Sequence, residues 1–155
     1  MRRFVPHSIC ACVDYGQSPK EAEECRRVTI MFVRLLDIQC DPFDYSKPET
    51  VGVIQKCICE IYSVLGRYEG TVSRFQIDDK GTVLKIVFGF PMMAHEDDPV
   101  RAVHAAIEIR KNLKEHLQVQ SCLGIATGTT ICGLVGNEVC IVVGAWGIDS
   151  GHFGS

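Results

Sequence analysis

The sequence predicts an α+β domain, an antiparallel sheet with helices packed on one of its faces. Three observations lead there. Val28–Leu36 and Val83–Phe88 are near-continuous runs rich in strand-forming residues. Two longer segments, Glu49–Arg67 and Asp98–His116, repeat apolar residues at three- and four-residue steps, the helical period. Between the two helices, Asp78-Asp79-Lys80-Gly81 marks a tight hairpin in which glycine supplies a positive φ.

Taken in order, residues 1–25 hold Pro6, Gly16 and Pro19 without periodicity and are expected to be a linker or extension, with a short helical turn at Lys20–Cys25. Val28–Leu36 is the first strand, expected to be buried on both faces. Asp37–Pro48 is a loop punctuated by Pro42 and Pro48. In the first helix Val51, Ile54, Ile58, Ile61 and Leu65 form one apolar face, and Gly66 and Gly70 bracket its end. Thr71–Ile77 and Val83–Phe88 flank the hairpin, and Gly89-Phe90-Pro91 closes the second of them. Asp97 as cap and Pro99 in the first turn start the second helix. Its inward residues are expected to be Val100, Val103, Ala106, Ile107, Leu113 and Leu117.

The last informative stretch is Leu123–Gly136. Apolar runs Cys122–Thr127 and Thr130–Val135 are interrupted by glycines 124, 128, 133 and 136. A hairpin is expected: glycine within strands only weakens them, so the four mark the turns of an ordinary buried hairpin, or else a bend or a backbone close to a nucleotide or a second chain. Cys140–Val143 extends the pattern by one short strand. The order β-α-β-β-α-β-β is a split β-α-β, ferredoxin-like arrangement.

At 155 residues the chain can bury one core. A net charge of −3 leaves no electrostatic footprint for nucleic acid. No apolar stretch reaches transmembrane length, and no apolar signal core follows Met1-Arg-Arg, so a cytoplasmic location is expected. The nine cysteines include no Cys-x-x-Cys pair, which points to reduced, mostly buried thiols and away from a zinc site or disulfide framework. His95, His104 and His116 are dispersed, with His104 expected to pack beside the second helix's apolar face. Glu96, Asp97 and Asp98 suit a helix N-terminus, where the dipole favours negative charge. No phosphate-binding Gly-x-x-x-x-Gly-Lys-Ser/Thr loop and no nucleophile elbow occur.

Five motifs in sequence carry a family resemblance: Arg27-Val-Thr-Ile-Met-Phe-Val; Tyr68-Glu-Gly-Thr-Val-Ser-Arg with Asp79-Lys-Gly; Val87-Phe-Gly-Phe-Pro; Asp97-Asp-Pro-Val-Arg-Ala-Val-His-Ala-Ala; and Leu123-Gly-Ile-Ala-Thr-Gly with Cys132-Gly-Leu-Val-Gly. Over residues 26–137 the chain resembles the catalytic domain of class III nucleotide cyclases, and most of all the second cyclase homology domain of soluble adenylyl cyclases. The resemblance implies pairing with a complementary, first-type domain, ATP as substrate, and two Mg²⁺ or Mn²⁺ ions held by aspartates of one partner. Two metals would assist the attacking hydroxyl and stabilise phosphate charge.

The carry-over is uneven. Arg34 stands where the first metal aspartate belongs, and a guanidinium cannot ligate Mg²⁺; contact with a phosphate or a partner carboxylate is the expectation there. The second aspartate's place falls near Gly81. Arg74 stands where the resemblance implies a base-reading lysine. Beyond Val139 nothing matches the family's Asn- and Arg-bearing helix. The expected organisation is therefore residues 1–25 as extension, 26–144 as a cyclase homology domain incomplete at its C-terminal end, and 145–155 as a divergent tail. No metal ligand and no catalytic residue is assigned. Inactivity of the chain alone is expected, and metals only in a complex with a metal-bearing partner domain. A non-catalytic dimerisation or regulatory module is the alternative.

Overall fold

A computed structural model describes residues 24–36, 38, 48–78, 81–90 and 93–132. Four strands and two helices alternate as β1 (Glu24–Leu35), α1 (Pro48–Tyr68), β2 (Thr71–Asp78), β3 (Gly81–Phe88), α2 (Asp98–Leu117) and β4 (Ser121–Cys132). The sheet is antiparallel throughout, in the order β2-β3-β1-β4. This is the ferredoxin-like order, and both helices contribute to a single core on one sheet face.

The core follows from strand alternation. Met31, Val33 and Leu35 of β1 and Leu84, Ile86 and Phe88 of β3 point to the helices and are buried. They meet Ile54, Cys57, Ile61, Val64 and Leu65 of α1, each fully buried aliphatic side chain stabilising by about 1.5–3 kcal/mol. The other face of β1 is different: Phe32 and Arg34 are exposed. The expectation of burial on both faces therefore holds only near Val28, which packs with Val87 and Phe90.

Each helix presents the expected stripe in part: Ile54, Ile58, Ile61 and Leu65 of α1 and Ala106, Leu113 and Leu117 of α2 do pack into the core. In α1, Val51 is exposed and Cys57 and Val64 are buried. In α2, Val100, Val103 and Ile107 are exposed, at 55%, 46% and 63%, and Ala102, Ala105, Ala106, Ile109 and Leu113 face inward. Alanine wins because α2 crosses α1 and the sheet closely, and large side chains at those positions would overpack. His104 shares the exposed side. Asp97 caps α2 through its backbone carbonyl, which accepts from the Val100 and Arg101 amides, and its side chain makes no cap bond.

Both helices end on a left-handed residue that is not glycine, Glu69 (φ 58°) and Gln118 (φ 56°). The Gly70 amide then donates to Leu65 O and the Val119 amide to Leu113 O, satisfying last-turn carbonyls. Gly81 (φ 101°) opens β3 and pairs with Asp78, as a tight turn requires. Gly89 (φ 88°) lets the chain pass over the Asp98 carboxylate, where a Cβ would lie 2.8 Å from Oδ2.

β4 overturns the expected hairpin. Ser121–Cys132 is one strand paired with β1 along its whole length, from Leu35↔Ser121 to Glu24↔Cys132. Gly128 sits mid-strand, and a Cβ at Gly124 or Gly128 would meet nothing within 4 Å. Twelve residues of β1 template twelve of β4, so the chain need not turn at Gly128. β1 itself begins at Glu24, which puts Glu24 and Cys25 in the sheet and not in a helical turn. The expected strand Cys140–Val143, the tail 145–155 and most of the extension 1–25 lie outside the described residues.

Candidate functional site: the open face of the sheet

The sheet face away from the helices is built by alternate residues of the same strands. The hairpin sets the β2–β3 register, pairing Asp78 with Gly81, Gln76 with Val83 and Arg74 with Lys85. A bulge between Val72 and Arg74 then shifts the register by one residue. Ser73 is the extra residue, and its Oγ donates to Lys85 O over 3.3 Å. The bulge lets Val72 reach the core while Arg74 stays on the open face beside Lys85.

Two rows cross the open face. Arg74, Lys85, Phe32 and Gly124 are successive partners in one, and Gln76, Val83, Arg34 and Cys122 in the next. Arg74, Arg34 and Phe32 are exposed and Lys85 is half-buried. Burial, and then the neighbouring Arg74 charge, hold the Lys85 ammonium below the usual lysine range. Residues 26–34, 71–77, 81–88 and 121–132 contain Arg26, Arg27, Arg34, Arg74 and Lys85 and no aspartate or glutamate. The strand interiors are thus cationic in a chain of net charge −3.

A second polar cluster ties the end of α1 to the start of α2. Glu69 Oε2 lies 2.9 Å from His95 Nε2 and 3.1 Å from an Arg101 guanidinium nitrogen. Arg101 Nε also donates to Asp97 Oδ1 over 3.0 Å and holds the Asp97 carboxyl below the usual carboxylate range. The buried Asp98 carboxylate accepts from the His95 amide over 2.9 Å. These contacts staple the two helix ends. A groove of about 350 Å³ between α2 and the start of β4, lined by Arg110, Lys111 and Lys114, also lies on the helix side.

No family model matches the chain. Over 141 residues it is 32% identical to adenylate cyclase type 10 of Homo sapiens, an alignment covering 90% of this chain and 8% of that protein. The same figures hold for adenylate cyclase type 10 of Oryctolagus cuniculus. The chain therefore spans less than a tenth of the curated relatives it matches. Among solved structures, the guanylyl cyclase Cya2 matches with a TM-score of 0.66 at 25% identity, over 82% of this chain and 66% of that one. A bacterial light-regulated adenylyl cyclase matches with a TM-score of 0.74 at 15% identity, over 95% of this chain and 44% of that one. This is a class III nucleotide cyclase homology domain.

Within this cyclase homology domain, Arg34 and Arg74 share the open face but not a row. They are separated by β3 and by one step along the strands. Arg34 sits at the exposed end of β1, a cation unsuited to hold a divalent metal. Among the described residues no group of three or more His, Cys, Asp and Glu side chains stands together as metal ligands would. Nor is any described helix long and apolar enough to cross a membrane. Among the described thiols, all free, Cys57 is buried as expected and Cys25, Cys59 and Cys122 are exposed. Burial pushes the Cys57 thiol up, as expected of a structural thiol.

Lys85 is the residue that sequence reasoning passed over. Its signal was present: it is the one charge in Val83–Phe88, and counting outward from a two-residue turn places it opposite Arg74.

Proposed function

We propose that this chain is the second-type half of an adenylyl cyclase pair, forming cyclic AMP and pyrophosphate from ATP only beside a metal-bearing partner domain. The alignment with adenylate cyclase type 10 along 90% of the chain carries the reading. Residues 26–144 make up the cyclase homology domain and the open sheet face meets the nucleotide and the partner. Arg74 is the nucleotide contact, given to the base by the family resemblance, and Arg34 contacts a phosphate or a partner carboxylate. The Mg²⁺ or Mn²⁺ ions belong to aspartates of the partner, since the guanidinium of Arg34 repels a divalent cation. The chain alone is inactive, and its setting is cytoplasmic.

A second reading is favoured by the same Arg34: a non-catalytic cyclase-like module that dimerises with, or regulates, a complete cyclase. One experiment separates the two. The chain is mixed with a metal-bearing first-type domain, and cyclic AMP formed from Mg²⁺- or Mn²⁺-ATP is measured. Formation well above that of the first domain alone supports the catalytic pair. A complex seen by size exclusion without added product supports the regulatory module and sinks the catalytic one.

A further inference from the structure

One side of α2 faces solvent with a regular pattern. Val100, Val103 and Ile107 are 55%, 46% and 63% exposed. With Arg110 and Lys114, also exposed, they stand three and four residues apart by turns, the spacing of a two-helix seam. Glu96, exposed in the turn just before the helix, lies one step of four further back. The stripe is therefore acidic at its start, aliphatic in its middle and basic at its end. Lys111 adds a third cation at the basic end, and Glu115 is the acid beside them.

The helix dipole accounts for an acid near the start and cations near the end. It does not account for the middle. Valine and isoleucine lose side-chain freedom in a helix and gain nothing in return when they face water. Three of them on one helix face make a patch, unlike apolar residues scattered singly over a surface. The patch leads into the groove of about 350 Å³ that Ile107, Arg110, Lys111 and Lys114 line against the start of β4.

We propose that this stripe joins two copies of the chain through an antiparallel pair of α2 helices. The occupant follows from charge, because the stripe is complementary to itself when turned end over end. About a two-fold axis between Val103 and Ile107, Val103 of each copy meets Ile107 of the other, and Val100 meets the aliphatic stem of Arg110. Glu96 then meets Lys114, with Lys111 close by. A parallel pair would instead set acid on acid and cation on cation. One helix pair about 30 Å long buries less than a permanent dimer needs, so a reversible dimer with a dissociation constant of roughly 10–100 µM is expected. The helices lie on the other side of the sheet from the open face. The proposal therefore does not rest on the reading given to that face, which stays uncovered in such a dimer.

The full chain is sedimented at low ionic strength at concentrations from about 1 µM to 1 mM, a range that brackets the expected constant. A monomer–dimer equilibrium is expected. Ile107→Gln, which removes an aliphatic contact twice per dimer, weakens it at least about tenfold. Glu96→Lys and Lys114→Glu, each alone, place like charges together twice and weaken it about fivefold or more. An equimolar mixture of those two variants restores both ion pairs and returns association to within about threefold of the parent. That recovery is specific to an antiparallel pair between copies and would not follow from a structural role within one chain. Thermal melts of each variant at low concentration verify folding. A chain that stays monomeric throughout, its stripe covered by some other segment, overturns the proposal. So does a dimer indifferent to Ile107→Gln, or a mixture that associates no better than its components.

Discussion

Met31 and Phe32 are neighbours on β1, yet one is fully buried and the other 47% exposed. The same contrast runs through the whole sheet. The helix-side face is closed by Leu84, Ile86, Phe88 and both helices. The open face carries Arg34, Arg74 and Lys85, and the acids of these strands, Glu24 and Asp78, stand only at strand ends. One set of strands thus serves two purposes by alternation: residues of one parity hold the fold, and those of the other, beyond the small cluster of Val28, Val87 and Phe90, are placed to meet a ligand or a partner. Substitutions on the two faces should therefore separate cleanly into stability and binding effects.

The sharpest break is expected at Phe88, fully buried beneath both helices. Phe88→Ala should lose about 3–5 kcal/mol of stability in urea unfolding, the range for emptying an aromatic core site. A loss below about 1 kcal/mol would mean the helix side is not the closed face. Gly70→Ala comes next. Its Cβ would stand 2.8 Å from the Phe88 ring and from Leu65, and overpacking there should cost about 1–3 kcal/mol. On the open face, Phe32→Ala should shift unfolding by no more than about 0.5 kcal/mol, as for an exposed site. An effect as large as that of Met31→Ala would erase the distinction between the faces. The smallest change concerns pH. Arg101 lowers the Asp97 carboxyl, so the charged pair's contribution is present above the ordinary carboxylate range and is lost as pH falls through the lowered value. Asp97→Asn should therefore lower the melting temperature slightly at neutral pH and leave it unchanged at the acid end, which flattens the acid limb of the profile.

How much of this could be read from residues alone depended on what carried the signal. The strand order and both helix spans follow from periodicity and punctuation, which are local. The Asp78–Gly81 turn also fixed the pairing of Arg74 with Lys85, since register propagates from a tight hairpin. On α2 the expectation fails only for Val100, Val103 and Ile107, where residue size does not go with burial. Ala102 and Ala105 join the expected Ala106 in facing the core because close helix packing selects small residues, and no local pattern distinguishes that from solvent exposure. The continuity of β4 was hidden for another reason: whether Gly128 turns or runs straight is decided by β1, nearly a hundred residues earlier in the chain. The bulge at Ser73 is likewise invisible until the competing demands of Val72 for the core and Arg74 for the open face are seen together.

Gln118 has a consequence of a different kind. It ends α2 in a left-handed conformation that an L side chain adopts only at a cost, and its side chain is exposed. Glycine there would relieve that cost at the expense of a looser unfolded chain, for a net gain of about 1 kcal/mol or less. The domain therefore retains thermal headroom at a position remote from the open face. The substitution Gln118→Gly would give a sturdier scaffold on which damaging open-face changes could be examined without unfolding the protein.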